Sequence, residues 1–429
     1  MKKTIDRIEF TKKMKKDYKL LMPAMAPIHF ELLKNIFTTL GYNIEMLENC
    51  GKAIRDEGLK HVHNDTCYPA TLVIGQFIDA LKSGKYDLTK TALLLTQTGG
   101  GCRASNYIFL LRKALKKAGF EYIPVVSVNI SGMEKNSGFK INFKTIRKLL
   151  AAIIYGDALM NISNQLMPYE KNPGDTKSVL KRCIDDITAQ FYKNKGFRID
   201  EIEAFLNTVM KQFSAVELVD KNLVKAGVVG EIYVKFCSIG NNDLEKFLFE
   251  HGCEVIVPGL MNFVLYTLDS KIDDIILYGG SALVKKIFTA FLNYILKLEQ
   301  LLIKSFVYYE KNQANNFKLI KTPYSYKKVK KMSEGIIGYG NKMGEGWLLT
   351  AEMIELCGGG CENIVCTQPF GCLPNHISGK GMMKKIKEIY INSNIVAIDY
   401  DPSSSTVNQE NRIKLMLAVA KENLLKVES

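Results

Sequence analysis

The chain has 429 residues, 47% of them hydrophobic and 24% charged, with a formal net charge of +14. That length suggests two to three domains, and the composition is that of a folded protein rather than a disordered one. No charge-free apolar run of about 18 residues is present, so no membrane span is expected. Lysines are scattered in pairs such as Lys12-Lys13 and Lys330-Lys331, arginine is scarce, and no nucleic-acid motif accompanies them. The positive charge therefore reads as solvated surface rather than a nucleic-acid interface.

In chain order, Met1-Lys2-Lys3 lacks a following apolar stretch, so a secretory signal is not expected and the chain reads as cytoplasmic. A strand is expected at 18–22, a helix at 28–40 stopped by Gly41, and a strand at 42–46. Asp65 or Thr66 is the expected cap of a helix over 68–82, with Pro69 in its first turn. Cys67 then sits at a helix N-terminus, where amides and dipole favour thiolate. Residues 91–96 form an apolar strand that runs into Gly99-Gly100-Gly101-Cys102-Arg103, followed by a helix to about 117. Residues 122–130 supply another strand. From 143 to about 218 the period is helical, with segments at 146–160, 178–192 and 200–217.

The β-α rhythm restarts at 225–235, where Val228 to Val234 reads as a strand. Asn241 and Asn242 are the expected caps of a helix over 244–251, and a strand follows at 253–257. Residues 270–330 read as a helical insertion. Gly338 to Gly344 has one residue too many for the dinucleotide fingerprint, and Gly335 and Gly340 have P-loop spacing but Asn341 stands where that motif needs lysine, so no nucleotide site is expected there. A helix over 347–356 leads to Cys357-Gly358-Gly359-Gly360-Cys361. An apolar strand at 363–365 then enters Cys366-Thr367-Gln368-Pro369-Phe370-Gly371-Cys372-Leu373-Pro374-Asn375-His376. A Lys-rich helix at 381–390, a strand at 395–398 and a helix at 408–421 close the chain. The pattern gives a first α/β domain at 1–142 and a helical segment at 143–222. A second α/β domain follows at 223–429, with the insertion at about 270–330.

Ten cysteines in a reducing compartment point to buried fillers or metal ligands rather than disulfides. Cys50, Cys183, Cys237 and Cys253 read as fillers. Cys67, Cys102, Cys366 and Cys372 lie in loops beside glycines or helix starts, where open α/β sheets put their ligands. Distant loops of this kind suit an iron–sulfur cluster held between domains, with zinc as the alternative donor chemistry.

The stretches His63-Asn64-Asp65-Thr66-Cys67-Tyr68-Pro69, Gly99 to Tyr107, Gly230-Glu231-Ile232-Tyr233-Val234-Lys235 and Cys366 to Pro374 resemble the 2-hydroxyacyl-CoA dehydratase/benzoyl-CoA reductase family. The closer likeness is to the dehydratase-like C-terminal part of its large activase-related proteins. The resemblance implies two flavodoxin-like parallel-sheet α/β domains with an added helical block and a cluster site between them. It implies a [4Fe-4S] or double-cubane [8Fe-9S] cluster and low-potential electrons from an ATP-hydrolysing iron–sulfur activase. ATP is expected only on that partner, because this chain carries no recognisable ATPase segment. By motif position Cys67, Cys102 and Cys372 are the implied iron ligands, with Cys366 as the fourth; Cys357 and Cys361 read as loop thiols. Arg103, His376 and Glu231 are weaker catalytic candidates. The implied activity is reduction or dehydration of a small substrate or acyl-CoA. A non-catalytic cluster carrier that docks an activase is the alternative, and a homodimer is compatible with either.

Overall fold

The computed structural model describes residues 7–63, 65–98, 100–129, 134–313 and 321–428. Asn64 and Gly99 of the cysteine motifs, the expected strand end at Ile130 and part of the expected insertion, 314–320, lie outside the described residues.

Two four-stranded parallel sheets organise the chain. The first contains β1 (Lys19–Pro23), β2 (Asn43–Leu47), β3 (Thr91–Thr96) and β4 (Val125–Val128), in the order β2-β1-β3-β4. The second repeats that order as β6-β5-β7-β8, from β5 (Val224–Gly230), β6 (Cys253–Ile256), β7 (Asn363–Pro369) and β8 (Asn394–Tyr400). Helices cover the sheet faces, so central strands such as Ala92-Leu93-Leu94-Leu95 are apolar on both sides rather than alternating. In each sheet the order reverses beside the first strand, between β1 and β3 and between β5 and β7. Such a switch point opens a crevice at the carboxyl ends of the strands.

One apolar cluster runs from Leu93 and Val125 of the first sheet to Val228 and Val365 of the second, so the two α/β units share packing. A second cluster unites helices Phe143–Leu166, Asp175–Tyr192 and Ile199–Phe213 with Leu260–Tyr278 and Ala282–Asn312. The helical segment and the later insertion are therefore one helical body built from two separate stretches. Trp347 is fully buried in it, against the rings of Tyr266 and Tyr339.

Several local expectations are corrected. The segment expected as strand through Val234 turns at Gly230, and Ile232–Phe236 is helical. Gly230 has a φ of +142°, and a Cβ there would lie 2.1 Å from Thr367 Oγ1, so only glycine lets the chain leave β5 beside β7. Glu231 follows as the helix cap, its carboxylate accepting the Val234 amide at 2.9 Å. The helix Tyr68–Lys82 has the expected bounds, but its N-cap is Cys67 itself rather than Asp65 or Thr66. A helix at Lys52–His61 carries too few apolar residues to stand out as periodic in the sequence. Among the described residues, no helix is long and apolar enough to cross a membrane.

Candidate functional site

Three thiols from widely separated segments line one cavity of about 300 Å³. Cys67 precedes the Tyr68–Lys82 helix. Cys102 caps the short 3-10 turn Arg103–Asn106 that leads into the helix Tyr107–Ala118. Cys372 lies immediately before the helical turn that starts at Leu373. Cys102 follows β3 and Cys372 follows β7, so the carboxyl ends of both sheets supply the site. The Cys67 and Cys372 loops are joined directly, because the Tyr68 amide donates to the Phe370 carbonyl at 3.0 Å. Gly371, at a φ of +73°, brings its backbone against Cys67, where a Cβ would lie 3.1 Å from the Cys67 Cα.

The polar surroundings are specific. Cys67 Sγ lies 3.1 Å from the Tyr107 hydroxyl, and Cys102 Sγ accepts the Ala104 amide at 3.3 Å. Two buried carboxyls, Glu231 and Glu345, form part of the wall, with Lys271, Asp274 and Lys342 also lining the cavity. Glu345 accepts the Ile232 amide at 2.9 Å, which ties the segment before Trp347 to the end of β5. Behind them the Lys235 ammonium is held by both Glu352 oxygens, at 2.9 and 3.1 Å, deep in the protein.

Burial governs the charge state of this cluster. It raises the Cys67 thiol above its ordinary value despite the Tyr107 hydrogen bond, and pushes Cys102 up to about 12. Cys372 is raised by burial and then by the charges of Glu345 and Glu231. Glu231 and Glu345 are raised too, by burial first; Glu231 is pushed further by the charge of Glu345 beside it. The expectation that a helix N-terminus makes Cys67 a ready thiolate is thus corrected, because lost hydration outweighs the helix-end effect. Any metal taken up here would displace thiol protons.

The fourth expected ligand is not brought to this cavity. Cys366 projects from the opposite face of β7, packed with Ile364, Cys361 and Ile395, and its Sγ accepts from the Gln368 side chain at 2.9 Å. Cys357 and Cys361 lie in that same apolar cluster. Cys183, Cys237 and Cys253 are buried as expected of fillers, whereas Cys50 is exposed. Arg103 is exposed and donates to the Asp65 carbonyl, which fastens the Cys102 loop to the Cys67 loop. His376 is exposed, its amide donating to the Cys372 carbonyl at 3.2 Å. Among the described residues no three His, Cys, Asp or Glu side chains converge at the spacing of a single metal ion. The thiols stand around a volume, not a point.

Glu345 and Tyr107 are residues of this cavity that sequence reasoning missed. The available signal for Glu345 was a lone carboxylate between Gly344 and Gly346, just after the stretch set aside as a failed nucleotide motif. Comparison with protein-family models gives no match, and comparison with curated proteins gives none either.

Proposed function

We propose that this chain is an iron–sulfur protein of the 2-hydroxyacyl-CoA dehydratase/benzoyl-CoA reductase kind, with Cys67, Cys102 and Cys372 as the iron ligands. The single observation that carries this reading is that these three motif cysteines line one cavity between the carboxyl ends of two like-ordered sheets. The β2-β1-β3-β4 order of each sheet supports reading both units as flavodoxin-like.

A cubane cluster ordinarily takes four thiolates, so a set of three leaves one position for a group other than a cysteine of this cavity. Bound there, the cluster would supply one-electron chemistry at low potential. The chain's own part is to exclude water, to donate the Ala104 amide toward the Cys102 sulfur and the Tyr107 hydroxyl toward the Cys67 sulfur, and to set the local charge. The Glu231 carboxyl, pushed up to about 8 by burial and by the charge of Glu345, would hold a proton at the cavity wall, where a reduced substrate needs one. The electrons would come from a separate ATP-hydrolysing activase in the cytoplasm, and the substrate would be a small molecule or acyl-CoA.

The test is anaerobic purification of the full chain with assay of iron and sulfide. Coloured protein holding both in similar amounts is expected, with low iron in Cys67→Ala, Cys102→Ala and Cys372→Ala and native iron in Cys183→Ala. Colourless, iron-free protein from anaerobic cells would overturn the proposal. Turnover of substrate by the reduced protein separates an enzyme from an electron carrier.

A further inference from the structure

The helices Leu260–Tyr278 and Ala282–Asn312 form a hairpin whose turn is Gly279-Gly280-Ser281. Its base belongs to the helical body, where Ile272 and Leu292 are buried. Between them none of residues 274–291 is buried, so the tip projects from the packed core. That tip is apolar. Ile276, Leu277, Tyr278, Leu283 and Ile287 are each more than half exposed, and Val284 is 41% exposed beside them. Single exposed apolar residues are ordinary, but a contiguous group of this kind marks a contact surface.

The charge around the tip has one sign. No Asp or Glu occurs from 275 to 298, whereas Lys285 and Lys286 stand among the apolar residues of the second helix. Neither ammonium meets a carboxylate among the described residues. The acids nearer the base are taken. Asp269 and Asp273 hold Lys330 at 2.7 and 2.8 Å, and Asp274 holds Lys342, whose ammonium lies 5.8 Å from the centre of the Tyr278 ring. The tip therefore presents apolar side chains beside uncompensated positive charge, and its complement is an apolar phase with an anionic rim.

We propose that this hairpin tip docks the protein on an anionic lipid surface, with Ile276, Leu277, Tyr278, Leu283 and Ile287 at the boundary of headgroups and acyl chains and Lys285 and Lys286 against lipid phosphates. Tyrosine and lysine suit that boundary, because each carries a polar end on an apolar body. Successive helical residues are turned by about 100°, so Ile276, Leu277 and Tyr278 face different ways around the tip rather than along one stripe. A helix held in a protein groove keeps its anchors on one face, at i, i+3, i+4 and i+7. Lipid instead surrounds an inserted tip on every side. A second copy of the chain fits less well, because pairing two tips would set Lys285 and Lys286 against like charge with no carboxylate to answer them. The exposed turn limits the depth, since unpaired backbone groups are costly in hydrocarbon; the tip lies in the interface and does not span it. Lipid binding by the tip needs no cluster, so it stands or falls separately from the cluster.

The experiment is co-sedimentation of the full chain with vesicles of phosphatidylcholine and phosphatidylglycerol and, in parallel, of phosphatidylcholine alone. Binding to the anionic vesicles that weakens with salt, and little binding to the neutral ones, is expected. Ile276→Ser with Ile287→Ser, and separately Lys285→Ala with Lys286→Ala, should each weaken binding about tenfold or more, with native circular dichroism and melting temperature. Leu277→Trp should shift its fluorescence to the blue on anionic vesicles, which attachment through lysines elsewhere on the surface would not produce. No sedimentation of the folded native chain, native binding by the folded serine variant, or a dimer that stays in solution beside anionic vesicles would overturn the proposal.

Discussion

The Tyr68 amide donates to the Phe370 carbonyl at 3.0 Å, and this one backbone bond joins loops about 300 residues apart in sequence. It sets the Cys67 helix start against the Cys372 loop, with Gly371 packed on the Cys67 backbone. Thiols on loops of separate α/β units share a cavity because the loops, not only the cores, are fastened together.

Gly371→Ala therefore tests that junction. The left-handed φ costs a side chain about 1–2 kcal/mol, and the new methyl would stand 3.1 Å from the Cys67 Cα. Thermal unfolding should show a loss of that order. Anaerobic iron content should fall as well, although no thiol has been removed. Native iron in the folded variant would show that the close approach is dispensable to the site.

Cys366→Ala separates the two faces of β7. The side chain sits in an apolar cluster outside the thiol cavity, so the variant should keep native iron and lose about 1–2 kcal/mol as a buried large-to-small change. Iron and sulfide assay beside Cys372→Ala decides it. A matching loss in both would return Cys366 to the ligand set.

Lys235→Met should be severe. Glu352 is 2% exposed and Lys235 is its ion-pair partner, so the change leaves a buried carboxyl uncompensated, at a cost of about 3–5 kcal/mol. Adding Glu352→Gln removes the orphaned charge and should recover much of the loss. Denaturant midpoints of the two single variants and the double variant measure the coupling.

Glu299 gives the chain a pH signature. Its carboxyl is raised from the ordinary 4.5 to about 7, chiefly by burial. Below about 4.5 the folded and unfolded states both hold the proton. Between about 4.5 and 7 the unfolded state gives it up first, so stability falls as pH rises through that window and levels off above it. Glu299→Gln should flatten this segment of the stability curve by on the order of 3 kcal/mol. An unchanged slope between pH 4.5 and 7 would place the titration elsewhere.

The sequence by itself determined the elements whose pattern is local. The apolar run at β3, the Pro-started helix at Tyr68–Lys82 and the helical period after residue 143 are each written in neighbouring residues. The cysteine motifs picked out Cys67, Cys102, Cys366 and Cys372 alike, since thiol and glycine or helix start adjoin in sequence. Only the tertiary structure decided the rest. Which face of β7 Cys366 occupies depends on strand register and on which helix covers that face. The union of two helical stretches in one core depends on packing between residues more than 100 positions apart. Glu345 reached the cavity wall through a bond to the end of β5. The charge state of the thiols followed the same rule, because burial is a property of the whole fold and outweighed the helix-start signal visible beside Cys67.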